Sequence, residues 1–114
     1  MHGGLSRDFV EEHVGTGKKY DDIDYVVDSI NSLTHQDMWN YFSPIWLRPQ
    51  THKARMYKPR KILQVVGHTP VDQPVRQGNI LSCDVFSIYR DGTPIGTEQF
   101  VLLDTKSWEF TAIK

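Results

Sequence analysis

Two histidines in glycine-containing motifs are the residues of this chain best suited to chemistry. His2 opens His2-Gly3-Gly4-Leu5-Ser6, and His68 lies in Val65-Val66-Gly67-His68-Thr69-Pro70, directly after an apolar run. Both patterns are typical of strand-to-loop junctions, where ligands collect in open α/β sheets. Neutral imidazole is a good ligand for Zn, Fe and Mn, so two such histidines that converge would hold one metal ion. From spacing alone, two unrelated polar histidines are the commoner arrangement.

Gly67 is expected to let the backbone turn tightly and to direct the His68 imidazole outward from a rigid strand end. The remaining candidate groups have simpler interpretations. Acidic residues at the start of a predicted helix are better explained by capping than by metal binding, which applies to Asp21, Asp22 and Asp24. Cys83 is expected to be a buried, inert thiol in a strand. The other histidines are interpreted as ordinary polar residues and the tryptophans as core or core-edge aromatics: His13, His35, His52, Trp39, Trp46 and Trp108.

Helices in the first half are predicted to support these motifs. Apolar residues recur at three- and four-residue spacing after Asp21-Asp22, which predicts an amphipathic helix containing Ile23, Val26, Val27, Ile30 and Leu33. Thr34 and Asp37 resemble a capping box, so a second helical segment is expected to contain Met38, Trp39 and Phe42 before Pro44 ends it. The segment 45–60 is rich in proline and basic residues and is predicted to be an irregular connection.

Strands are predicted in the second half. The mostly apolar run 61–66 stops at Gly67 and is typical of a buried strand. Three β-rich runs follow at 80–89, 95–103 and 108–113, and Arg90-Asp91-Gly92 is a hairpin signal between the first two. The expected fold is therefore α+β, with helices packed on a mixed sheet that ends in an antiparallel meander, in a single domain spanning 1–114.

Composition narrows the function classes. The chain has 114 residues with 13 basic and 14 acidic side chains, so no strong net charge favours nucleic acid or an anionic membrane. Its apolar runs are far shorter than the roughly 18 to 20 residues needed to span a bilayer. One cysteine and the lack of a signal-like apolar start predict a cytoplasmic protein.

The histidine motifs and the segment between them resemble a known family in their order along the chain. His2-Gly3-Gly4-Leu5-Ser6 and Gly67-His68-Thr69-Pro70 are similar to two late metal-ligand motifs of the calcineurin-like metallophosphoesterases. Between them, Trp46-Leu47-Arg48 resembles the Trp-x-Arg segment of the bacterial and phage members, and the C-terminal runs resemble the family's last strands. Asp84 lies where the family often has Asp-Thr-Gly, but Val85-Phe86 replaces Thr-Gly and no role is assigned to it.

The resemblance implies the C-terminal half of the family's αββα sandwich and a hydrolase of the serine/threonine phosphatase or dinucleoside-polyphosphatase kind. The complete enzyme would hold two divalent ions, Mn, Fe or Zn, and act on a phosphorylated protein or a nucleotide. His2 and His68 would bind the same ion. Arg48 would bind the substrate phosphate through its planar fork of donors.

Three earlier family motifs are absent from the chain: Asp-x-His, Gly-Asp-x-x-Asp-Arg and Gly-Asn-His. The resemblance therefore implies a truncated domain that is inactive alone and hydrolyses phosphate esters once the upstream half is supplied. The alternative is a non-catalytic scaffold that keeps the half-fold and pairs with a second copy through the open sheet edge beside residues 61–66. Adventitious binding of Zn or Ni by His2 is a third interpretation.

Overall fold

The computed structural model describes residues 1–114, in which helices precede strands. The helices are α1 (Arg7–His13), α2 (Lys18–Asp21), α3 (Ile23–Asn31), α4 (His35–Met38) and α5 (Pro49–His52). The strands are β1 (Gln64–Val66), β2 (Val75–Gln77), β3 (Ile80–Ser82), β4 (Phe100–Leu103) and β5 (Phe110–Ile113). This order confirms the predicted α+β class. No helix is long and apolar enough to cross a membrane.

Helices α1 and α3 form the main core. The Ser6 side chain caps α1 by accepting a hydrogen bond from the Phe9 N–H, and the Asp22 side chain caps α3 by accepting from the Tyr25 N–H. Their apolar faces meet around the fully buried Tyr57. The six buried members of this cluster are Leu5, Phe9, Val10, Val26, Ile30 and Tyr57. The structure therefore confirms the predicted amphipathic helix and adds α1, which the sequence did not predict.

The capping box at α4 is confirmed, but the helix is shorter than predicted. Thr34 and Asp37 exchange the expected hydrogen bonds, and α4 then ends at Met38. The Asn40 side chain competes with the helical backbone, because it donates to the Asp37 carbonyl and accepts from the Phe42 N–H. The prediction that Trp39 and Phe42 lie in this helix is therefore wrong. Both side chains are exposed.

The predicted mixed sheet is present in short form. The strand order is β1-β3-β2, with β1 parallel to β3 and β2 antiparallel to it. Only Gln64–Val66 of the predicted strand 61–66 is extended, and β2 was not predicted. Gly78 adopts a positive φ of 60° between β2 and β3, where glycine avoids the steric cost of a tight turn.

A continuous antiparallel meander does not follow, so that prediction is wrong. Strand β3 ends at Ser82, and the Asp91 turn closes only one isolated bridge, between Ile88 and Pro94. The segment 84–98 instead bonds to the loop after β1: the Val71 N–H donates to the Asp84 carbonyl, and the Thr97 N–H to the Asp72 carbonyl. These long-range hydrogen bonds replace the regular hydrogen bonding of an antiparallel sheet.

Strands β4 and β5 form a separate hairpin with apolar side chains on both faces. Phe100 pairs with Ile113, and Leu102 projects from the same exposed face. Phe100 and Leu102 are 65% and 67% exposed. The opposite face is half-buried. The hairpin therefore leaves Phe100, Leu102 and Ile113 on an exposed apolar face.

Candidate metal and phosphate site

The rings of His2 and His68 lie against each other. Their centroids are 4.5 Å apart and the ring planes are inclined by 45°. The two residues are far apart in sequence, so tertiary structure alone brings them together. The fold therefore brings the two imidazole rings into contact.

Backbone hydrogen bonds to β1 position His2. The Met1 amino group donates to the Val65 carbonyl at 2.9 Å, and the Gly67 N–H donates to the His2 carbonyl at 2.9 Å. These bonds place residues 1–2 along the edge of β1 that faces away from β3. His2 consequently lies beside the loop that begins where β1 ends.

The two glycines after His2 allow close packing against the segment 44–47. The Gly3 N–H donates to the Pro44 carbonyl at 2.6 Å. A Cβ at Gly3 would lie 2.6 Å from the Leu47 carbonyl oxygen, too close for any side chain. Gly4 has a φ of +127°, which disfavours residues with a side chain. The motif thus docks the chain start onto the segment that leads to Arg48.

The Gln64 side chain joins the same motif to β1. Its Oε1 accepts a hydrogen bond from the Leu5 N–H at 2.6 Å, and its Nε2 donates to the Leu5 carbonyl at 2.9 Å. Gln64 and Leu5 are both buried. The buried Gln64 amide bonds to both the N–H and the carbonyl of Leu5. These two hydrogen bonds fix the distance between the two histidine motifs.

His68 itself makes the turn that was predicted for Gly67. His68 has a φ of 64°, whereas Gly67 is not among the residues with positive φ and has open space around it. The predicted role of Gly67 is therefore wrong. Non-glycine residues in the left-handed region are uncommon and cluster at functional sites, and histidine is among the types enriched there.

The Arg48 side chain binds the loop that contains His68. Its Nη1 donates to the His68 carbonyl at 3.0 Å and to Thr69 Oγ1 at 3.2 Å. The guanidinium takes part in none of the three ion pairs of the molecule. Its Nε and Nη2 donors have no protein partner, so a half-buried, uncompensated cation lies beside the histidine pair.

Burial lowers the pKa of His68 below its ordinary value of 6.5, and the nearby Arg48 and His2 lower it further. A backbone group of Trp46 and the Asp84 carboxylate oppose this shift. The lowered pKa keeps the imidazole neutral at physiological pH. Neutral imidazole is the form that binds a metal ion.

We expect the His68 ring to titrate below pH 6.5 in an NMR titration of the isolated chain. Below pH 6.5, His68 then binds a proton more readily in the unfolded chain than in the folded chain. The free energy of unfolding should therefore fall as the pH drops below 6.5. Replacing Arg48 by Met should raise the His68 midpoint. A midpoint at or above 6.5 would contradict the structure.

The residues present fit only part of a metal centre. No group of three or more His, Cys, Asp and Glu side chains could enclose an ion. The rings of His2 and His68 are in contact, but no third side chain of these types completes a set of ligands. The residues present therefore do not fit a complete two-metal centre.

Aromatic residues flank the histidines, and the structure changes the interpretation of Trp39 and Trp46. The Trp46 ring packs edge-on against His68 with centroids 5.8 Å apart, and Trp39 packs edge-on against Trp46 at 5.6 Å. Trp39 is 77% exposed, so its interpretation as a core aromatic is wrong. Trp108 is half-buried beneath the Arg76 guanidinium, consistent with a core-edge position. Trp46 was overlooked as a site residue, although its place two residues before Arg48 was a usable signal.

The other predicted groups lie outside this site. Asp22 caps α3, and Asp21 pairs with Lys58 at 2.6 Å, which agrees with their structural interpretation. Burial raises the pKa of the Cys83 thiol, as expected for an inert cysteine. Cys83 is only half-buried and follows β3, so the prediction that it is a buried residue in a strand is wrong. His52 accepts a local hydrogen bond at Nδ1 from the Arg48 N–H at 3.4 Å, which is compatible with its interpretation as an ordinary polar residue.

The chain matches no protein-family model, no curated protein and no solved structure.

Proposed function

We propose that this chain supplies the C-terminal half of the catalytic domain of a metal-dependent phosphoesterase. His2 and His68 bind one metal ion, and Arg48 binds the substrate phosphate. One observation supports this most strongly: the residues singled out in three separate motifs lie together, with His2 against His68 and Arg48 bonded to the His68 carbonyl. The motifs were chosen by sequence resemblance, so their spatial convergence is an independent observation.

The position of Arg48 suits anion binding. One guanidinium nitrogen is fixed by His68 and Thr69, which holds the planar group in a defined orientation. The remaining donors form a fork that matches two oxygens of a phosphate. Because no carboxylate neutralises Arg48, a phosphate dianion would not have to displace a competing partner.

The apolar surface supports a second half that packs on this one. The exposed face of the β4–β5 hairpin presents Phe100, Leu102 and Ile113, and Phe86 packs against Phe100. Monomeric soluble proteins rarely expose extended apolar surface of this kind. The outer edge of β1 is also paired only with residues 1–2.

In the complete enzyme, two divalent ions, Mn, Fe or Zn, would activate a water molecule and stabilise charge on the transferring phosphoryl oxygens. The substrate is a phosphorylated protein or a nucleotide. The contribution of this chain is to position the phosphate with Arg48 and to hold one ion with the imidazoles of His2 and His68. The isolated chain lacks the carboxylate ligands and is expected to be inactive.

A two-chain reconstitution tests the proposal. The chain is mixed with an N-terminal half that contains Asp-x-His, Gly-Asp-x-x-Asp-Arg and Gly-Asn-His, and bound Mn or Zn and hydrolysis of p-nitrophenyl phosphate are measured. We expect metal uptake and hydrolysis by the pair and neither by the separate chains. His68→Ala should reduce metal affinity on the order of 10- to 100-fold or more. His35→Ala, at an exposed helical histidine, is the matched control. A stable pair that takes up no metal would exclude the proposal.

The second candidate function is a non-catalytic scaffold that forms a homodimer. The observation that favours it is the outer edge of β1, which pairs only with residues 1–2 and lies beside an exposed Val65. Sedimentation of the isolated chain separates the two candidates, because a scaffold dimer forms without an N-terminal half. A chain that remains monomeric at high concentration removes the reason for this candidate.

A further inference from the structure

An aromatic cleft that reaches His68 through Trp46 has no assigned role. Four residues line this cleft of about 480 Å³: Trp39, Asn40, Tyr41 and Trp46. Trp39 and Tyr41 are 77% and 80% exposed. Leaving large apolar rings in water is unfavourable, and an exposed apolar patch of this kind marks a binding surface.

We propose that the aromatic cleft binds the nucleobase of a nucleoside di- or polyphosphate whose phosphates lie at Arg48. This inference rests on the proposed phosphoesterase function. It assigns the site to nucleotides rather than to phosphorylated proteins.

The arrangement of the rings connects the cleft to the phosphate site. Trp39 and Trp46 meet nearly at right angles, with ring planes inclined by 85°, and Trp46 contacts the His68 ring. Arg48 is bonded to the His68 carbonyl on the same loop. A nucleotide has a planar aromatic group at one end and an anionic group at the other. The cleft and Arg48 offer matching surfaces in that order.

The polar groups of the cleft favour a base over a peptide. The Asn40 side chain makes one hydrogen bond with each of its polar atoms inside its own turn, because Nδ2 donates to the Asp37 carbonyl and Oδ1 accepts from the Phe42 N–H. A peptide backbone laid into the cleft would find few remaining partners for the polar groups that it takes out of water. A base stacks through its faces and keeps its edges in water. Stacking without edge contacts also predicts tolerance for any base, with purines preferred for their larger surface.

The test uses the 114-residue chain with ADP, UDP and pyrophosphate as probes, followed by tryptophan fluorescence and calorimetry. ADP should quench the fluorescence and bind more tightly than pyrophosphate, with UDP between them. Trp39→Ala should weaken ADP binding roughly tenfold and leave pyrophosphate binding unchanged. Arg48→Ala should weaken both. Trp39→Phe should retain most of the affinity, and Tyr89→Ala, which removes an exposed aromatic outside the cleft, should change nothing.

The outcomes separate this inference from the proposed function. Unchanged ADP binding by Trp39→Ala, or no ADP binding at all, overturns the base site, while Arg48-dependent pyrophosphate binding leaves the phosphate site intact. ADP binding that needs Trp39 but not Arg48 supports the cleft as a base site and removes the proposed role of Arg48. A phosphoserine peptide that binds through Trp39 more tightly than ADP overturns the assignment to nucleotides.

Discussion

Arg48→Ala is expected to lower phosphate-ester hydrolysis by the reconstituted two-chain enzyme on the order of 10²- to 10³-fold, the usual cost of losing one preorganised donor to developing charge. Arg48 is held by His68 and Thr69 before any substrate arrives, so it needs little reorganisation when phosphate binds. Metal uptake should persist, because both imidazoles remain. Steady-state kinetics and metal titration of the same preparation measure the two effects separately.

Arg48→Lys and Arg60→Ala sharpen this experiment. Lysine keeps the positive charge but loses the planar fork, so its activity should lie between those of the wild type and Arg48→Ala. Arg60 is an exposed arginine in the same basic segment, and replacing it should leave the rate unchanged. Equal losses for Arg48→Ala and Arg60→Ala would mean that general positive charge, rather than a positioned guanidinium, supports the reaction.

Local signals in the sequence were sufficient to predict α3 and the start of α4, whereas α1, α2 and α5 were not predicted. Asp22 caps α3 and Thr34 and Asp37 form the box at α4, because both devices join residues three positions apart. The end of α4 could not be predicted in this way. It depends on a competing turn made by the Asn40 side chain, which helical periodicity does not reveal.

The strand half was harder to predict because its backbone partners are distant in sequence. β-Rich composition indicated strands over 80–89 and 95–103 but could not show that residues 84 and 97 bond to the loop at 71–72. Strand β1 is likewise defined by its parallel partner β3 and is only three residues long. Pairing of this kind follows from tertiary packing rather than from alternation of side chains.

The order of the motifs identified three residues of the candidate site. The residues that hold these three in place could be identified only from the structure. His2, Arg48 and His68 were named from sequence, and the fold brings them together. Gln64 was overlooked because a glutamine in a short strand is usually assigned to solvent. Its position two residues before the buried Val66 was a usable signal, since the two side chains project from the same face.

Gln64→Ala is expected to lower the free energy of unfolding by about 2–3 kcal/mol, because it leaves a buried N–H without an acceptor and removes a buried side chain. The Leu5 N–H would lose its acceptor, whereas the Leu5 carbonyl would keep its bond from the Tyr57 N–H. Urea unfolding followed by circular dichroism measures the change. Gln77→Ala, at an exposed position of β2, should change stability by less than about 0.5 kcal/mol.

Gln64→Glu distinguishes loss of the hydrogen bonds from loss of volume. A carboxylate can accept from the Leu5 N–H, but its second oxygen would face the Leu5 carbonyl, which now accepts from Gln64 Nε2. Burial and this repulsion would raise the folded-state pKa of the new carboxyl group above the ordinary value of about 4.3. Compared with the wild type, the variant should therefore be least destabilised below that pH and lose stability as the pH rises through the raised pKa. Because Gln64 ties the His2 motif to β1, the same loss of stability should be accompanied by weaker metal uptake in the reconstituted pair. A destabilised variant with unchanged metal affinity would show that β1 and Gly3 hold His2 in place without the amide.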